Sequence, residues 1–251
     1  MKKTVTILLL AILLICFAGC EREDVVLDEA KTYPIASEIH SLDVRINAAD
    51  FKIESGDAFS VESNLKFLSV SEENGVLTIV DGAKGNSNYS DATLTLCVPS
   101  GTVFDRVNIE TGAAKLTADT LSSSLMSLKL GAGDVRFENL NVSTEIDVEG
   151  GAGKITVVSG TLNGLTLEMG MGELNLTAAV LGNSDLKLGV GKSDLTLIGN
   201  KNDYRIDIEK GLGSITVDGE KVTDFGSGGN GKNYIEIEGG IGAFNLKFQG
   251  E

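Results

Sequence analysis

Between residues 105 and 246 apolar and polar positions alternate in short runs, and glycines punctuate the runs. Seven phrases share one form: GAAKLTA from Gly112, GAGDVRF from Gly131, GAGKITV from Gly151, GMGELNL from Gly170, GVGKSDL from Gly189, GLGSITV from Gly211 and GIGAFNL from Gly240. A degenerate copy, NAADFKI, begins at Asn47. With the third residue of each phrase as anchor (Ala114, Gly133, Gly153, Gly172, Gly191, Gly213, Gly242), the spacings are 19, 20, 19, 19, 22 and 29 residues. A period near 20 marks a repeat architecture in which each unit is one coil of a solenoid.

The columns around the anchor predict the elements. Seven and five residues before it stand pairs such as Val107/Ile109, Ile146/Val148 and Ile235/Ile237; two and four after it stand Leu116/Ala118, Ile155/Val157 and Phe244/Leu246. Residues between them are mostly polar, so each coil should carry two short strands with one buried face, joined at the glycines. No stretch between strands has the length and period of a helix. A lone coil cannot bury its apolar face, so stability must come from stacking on neighbours. The residue between the glycines (Ala113, Ala132, Ala152, Met171, Val190, Leu212, Ile241) stays apolar throughout and is expected to point into the core.

The outward columns read as surface. One residue after the anchor stand Lys115, Asp134, Lys154, Glu173 and Lys192, so opposite charges should face each other on successive coils. Four before it stand Glu110, Lys129, Glu149, Glu168, Lys187, Glu209 and Glu238. Glu149 and Glu168 would stack as like charges, which makes them a weak candidate site for a divalent cation, with a solvated face as the plain alternative.

Outside the repeat, residues 41–53 fit an entry coil. Residues 65–70 and 76–80 look like strands around a Glu73-Asn74-Gly75 turn. Residues 218–233, DGEKVTDFGSGGNGKN, are a Gly-rich insertion that accounts for the 29-residue spacing and is expected to be a loop.

The first residues, MKKTVTILLLAILLICFAGC, have a basic start and an apolar run, the pattern of an export signal. Phe17-Ala18-Gly19-Cys20 resembles the bacterial lipobox, which implies lipidation at Cys20. The expected organisation is a lipoprotein signal peptide at 1–19, an acidic tether at 20–37 and a solenoid domain at 38–249. The formal charge is −15; loss of Lys2 and Lys3 with the signal leaves −17. Such a surface disfavours nucleic acid, since phosphate binding needs clustered Lys and Arg. Only Cys97 of the three cysteines would remain free, so no internal disulfide can form. It is expected to be a packed small residue, with no His near it in sequence to activate it.

Candidate chemistry is sparse. Residues 226–233, GSGGNGKN, approach a phosphate-binding loop, but Asn233 stands where Ser or Thr is needed and a strand follows. Calcium-binding nonapeptide repeats need a nine-residue period. His40 is the only histidine; Ser41 and Asp43 beside it cannot form a triad on an extended strand. No catalytic residue and no cofactor is assigned.

Three features together, VPSGTVFDRVNIETGAAKL at 98–116, the serial G-x-G coils and NDYRIDIEKGLGSITVDG at 202–219, resemble the bacterial "putative adhesin" domain of unknown function. The resemblance implies a single-chain parallel β-helix or β-solenoid displayed at the cell surface. The expected protein is all-β and non-enzymatic, held by its N-terminal lipid on the extracytoplasmic side of a bacterial membrane. Cell wall, host matrix or a membrane protein are its candidate partners. Two alternatives stand beside this: an accessory of a membrane-bound envelope-stress signalling system, and a polysaccharide-acting enzyme.

Overall fold

The computed structural model describes residues 27–83, 89–209, 211–222 and 227–250. The expected signal peptide, residues 1–19, and the expected lipidation residue Cys20 lie outside them. The chain winds as a parallel β-solenoid. Leu174 pairs with Ile155 on one side and with Ser193 on the other, in register, and Ser193 pairs with Phe244. This builds one interior column, Phe51, Leu116, Val135, Ile155, Leu174, Ser193, Phe244 and Ile215, every member buried. Each aliphatic or aromatic side chain taken out of water in this way contributes roughly 1.5–3 kcal/mol.

Each regular coil has a third side that the two-strand expectation missed. Gly160–Asn163 pairs with residues 140–142 and with 179–181 of the next coil. Its buried residues (Leu140, Val142, Leu162, Val180) alternate as a strand should. Val142 and Leu162 stand nine residues after their anchors and Val180 eight after its own, which blurs the column in sequence.

The order of the layers differs from the order of the chain at both ends. From the N-terminal end the stack runs 76–99, 41–56, 107–118, 126–137, 146–157, 165–178, 183–198, 233–249 and 204–217. The eight coils expected from the repeat are present, and residues 76–99 add one layer. The first coil is sandwiched between a later one and the body. The last coil is sandwiched between its two predecessors. The insertion at 218–233 supplies the return path to that slot.

Antiparallel strands close both ends. Leu68–Glu73 pairs with Val76–Asp81, Ser60–Ser63 with Thr93–Pro99, and Lys31–Pro34 with Ser60–Ser63. At the far end Glu220–Val222 pairs with Leu212–Val217, and Ser227–Gly228 with Tyr204–Glu209. Both hairpins turn on the same chemistry: Asn74-Gly75 with φ of 52° and 76°, and Asp218-Gly219 with φ of 52° and 87°. Two positive φ values give the turn whose twist suits a two-residue hairpin. A stacked solenoid would otherwise offer open strand edges to other chains, and these caps blunt them. Part of the stretch read as tether is therefore built into the fold: Lys31–Pro34 is a strand, and Leu27 packs against the core.

Candidate interaction face

The bend between the first two sides of each coil sets which side chains face outward there. Gly172 has φ +136°, and a Cβ there would run into the carbonyl oxygen of Gly153 one layer below. Glycine is therefore required for the layers to stack at their normal spacing. Over residues 170–173 the side-chain alternation breaks, while Met169 and Leu174 on either side point inward and close the interior. An open pocket of about 40 Å³ lies at the outermost bends, lined by Met169, Leu188, Val190, Ile208, Ile241 and Phe244.

This geometry overturns the expectation for the residue between the glycines. Those residues point outward. Ala113, Ala132 and Ala152 are exposed, and so are Met171, Val190, Ile241 and Leu212, at 59%, 47%, 54% and 73%. Met171 pairs with Ala152 and Val190, and Ile241 with Val190 and Leu212, so they form one strip along the solenoid. At roughly 4.8 Å per layer the four large residues span about 14 Å. Single exposed apolar residues are ordinary on a protein surface; a contiguous, ordered row of them is a candidate interaction site. The increase in size from Ala to Met, Val, Leu and Ile was the available sequence signal.

Charge borders the strip. On one flank Glu168, Lys187, Glu238 and Glu209 lie in successive layers. On the other lie Glu173, Lys192, Ala243 and Ser214. Towards the N-terminal end the outward columns form cross-layer ion pairs: Lys154 to Glu173 at 3.4 Å, Lys129 to Glu149 at 3.4 Å and Lys115 to Asp50 at 4.0 Å. All are exposed, so each contributes at most about 1 kcal/mol.

Glu149 and Glu168 do stack in register. Lys129 reaches Glu149 from one side, and Lys187 stands opposite Glu168 on the other. Ammonium groups thus occupy the positions where further carboxylates would be needed. Among the described residues no three His, Cys, Asp or Glu side chains gather as a metal site. Cys97 is half-buried and lies on the outer face of its strand, opposite the buried Leu96 and Val98. It is not packed in the core, because the strand's inward positions are the even-numbered ones. His40 is exposed, and its backbone N–H donates to Gly75 O at the hairpin turn. Of residues 226–233, Gly226 lies outside the described residues, and Asn233 is buried and accepts a hydrogen bond from the Gly182 N–H. It docks the last coil on its neighbour.

Two tyrosines mark the far end. Tyr204 is buried, donates to Ile198 O at 2.7 Å and lies against Phe248; burial pushes its phenol up. Tyr234 donates to Asp207 Oδ2 at 2.8 Å, which raises its pKa, and Arg205 stacks over its ring at 4.1 Å.

The described residues form an end-capped parallel β-solenoid with an apolar strip on its outer corner. The chain belongs to the Toastrack family, DUF4097, whose family pattern matches residues 36–247. A comparison with curated proteins finds no match. Among solved structures it is similar to a putative adhesin from Bacteroides fragilis, with 13% identity, a TM-score of 0.53, and coverage of 86% of this chain and 95% of that one. It is also similar to a putative adhesin from Parabacteroides distasonis, with 17% identity, a TM-score of 0.47, and coverage of 88% and 96%.

Proposed function

We propose that this protein is a non-enzymatic binding scaffold of the bacterial envelope, anchored through a lipid on Cys20, that engages a macromolecule through the strip Met171, Val190, Ile241 and Leu212. The observation that carries this reading is the exposure of four large apolar side chains on a rigid row whose glycine neighbours cannot change. The adhesin name of the similar protein from Bacteroides fragilis agrees with it. The outward carboxylates are spread along ladders with lysines between them, which suits a solvated surface better than a paired acid and base. Envelope and matrix fractions passed over the immobilised chain should enrich a binding component. A chain carrying Ile241→Asp should lose it, and equal retention by both chains would overturn the reading. Radiolabelled fatty acid should enter the chain and fail to enter Cys20→Ser.

A signalling accessory is the second reading. Leu27 and Lys31–Pro34 are docked on the solenoid, so residues 21–26 alone separate Cys20 from the folded body. That keeps the N-terminal end near the bilayer. Crosslinking in whole cells would then capture a membrane protein; capture of extracellular material alone would exclude this reading.

A further inference from the structure

We infer that the strip is self-complementary and that its partner is a second copy of this chain carried on a facing membrane. The inference rests on the binding-scaffold reading and on the anchor at Cys20.

Three observations lead to it. The chain enters the fold at one end: Leu27 packs there, and Lys31–Pro34 lies on Ser60–Ser63, which pairs with the outermost N-terminal layer. The large residues of the strip occupy the other end, and the layers nearer the membrane carry alanine at the same place. The apolar contact is thus offered where the molecule reaches furthest from its own membrane.

The charged border then selects an orientation. Suppose two strips meet in opposite directions about a two-fold axis between Val190 and Ile241. Met171 then faces Leu212 of the second copy, Val190 faces Ile241, and Lys187 faces Glu238 twice, once in each direction. Glu168 and Glu209 also face each other twice, at the two ends of the contact, so like and opposite pairs balance in this arrangement. Suppose instead that the strips run the same way. Glu168 then meets Glu173, and Lys187 meets Lys192, so like charges oppose each other in both charged layers. The opposed arrangement is favoured, and it sends the two N-terminal ends in opposite directions, towards two membranes.

The contact between one pair of copies is small beside the roughly 1,200–2,000 Å² that stable complexes bury. It becomes effective when many copies on two surfaces engage together. A net charge near −17 per copy keeps free copies apart, but at physiological salt that repulsion is screened beyond about 8 Å.

The test uses the full lipidated chain, purified from membranes and reconstituted in phosphatidylcholine vesicles. Light scattering should report clustering of vesicles that carry the chain. Leu212→Asp and Ile241→Asp, both at exposed positions, should abolish it while hydrogen-exchange protection of the core stays unchanged. Lys187→Glu alone or Glu238→Lys alone should weaken clustering roughly tenfold. Vesicles carrying Lys187→Glu mixed with vesicles carrying Glu238→Lys should cluster again, because position 187 of each copy then faces a residue of opposite sign at position 238 of the other. A chain with both M171C and L212C should form disulfides between differently labelled vesicles under mild oxidant, beyond any background from Cys97.

Crosslinking by M171C alone would indicate the same-direction arrangement and overturn the proposal. So would failure of the mixed vesicles to recover. If vesicles stay dispersed while the immobilised chain still retains envelope material through Ile241, the second-copy inference falls and the binding reading stands. If both tests are negative, both fall.

Discussion

The middle of this solenoid and its two ends are built from the same phrase under different constraints. In the middle, from 107 to 198, each coil stacks on the one before it. At the ends the chain overshoots and comes back: 41–56 lies inside 76–99, and 233–249 lies inside 204–217. A middle coil needs only two apolar faces and glycines at the bend. An end coil must also stop the sheet, which requires strands that run against the stack and turns that reverse the chain. The overshoot provides both, since the outermost layer is followed or preceded by a hairpin that can fold onto it. The comparison teaches that a coil's position in the stack is set by its connections more than by its own sequence.

The largest expected effect comes from removing residues 233–250. If coils stacked in chain order, this would trim one outer layer and leave 204–217 in place. With the last coil sandwiched, its removal separates 204–217 from everything beneath it. Hydrogen exchange should therefore show loss of protection across 204–217 as well as exposure of 183–198. Retained protection at 204–217 would mean that the permuted order is wrong.

Next in size is the contrast between a bend glycine and a turn glycine. A side chain at Gly172 would collide with the carbonyl of Gly153, and φ +136° is itself unfavourable for an L residue. Gly172→Val should cost about 3–5 kcal/mol in denaturant unfolding. At Gly219 in the end hairpin no atom lies within 4 Å of the added Cβ, and only φ +87° opposes it. Gly219→Ala should cost about 1 kcal/mol. Equal costs would show that the middle and the ends do not differ in how tightly their layers stack.

Much of the middle was legible because its columns carry redundant information. Val135, Ile155 and Leu174 repeat one requirement at a fixed spacing, and the alternation around them names the buried face. The order at the ends was not legible for the same reason. Leu186, Ile208 and Ile237 satisfy the same interior column in any sequence of layers, so apolar periodicity is silent about which lies between which. The long insertion at 218–233 was the available clue. A loop of that length can return across a layer at little extra entropic cost, because closure cost grows only slowly with length. The outward direction of the residues between the glycines is not legible from alternation, because period 2 does not carry through the bend. The residues at 170–173 leave the pleat, and alternation stops predicting direction there.

What does carry order is a small polar ladder on the outer face of the far end, and it gives the smallest and most specific expected effect. Asp194 Oδ1 accepts from Asn245 Nδ2 at 2.6 Å, and Asn245 Oδ1 accepts from Thr216 Oγ1 at 2.6 Å. These three residues belong to 183–198, 233–249 and 204–217, so the ladder joins the layers in their observed order. Lys192 Nζ also lies 2.6 Å from Asp194 Oδ2. Burial pulls the Asp194 carboxyl up, but the hydrogen bonds from Lys192 and Asn245, with the charges of Lys192 and Lys247, outweigh it and hold the group below the ordinary carboxylate value. A carboxyl depressed in the folded state stabilises the fold above its ordinary value and loses that contribution as pH falls through the lowered one. Stability of the far end should therefore be level above about pH 4 and decline below it. Asp194→Asn should cost less than about 1 kcal/mol near neutrality, since the lost ion pair is largely exposed, and it should remove this part of the acid dependence. Exchange protection at 233–249, followed between pH 5 and pH 2.5, reads both effects, and an acid response unchanged by Asp194→Asn would show that the ladder does not hold the last coil in its slot.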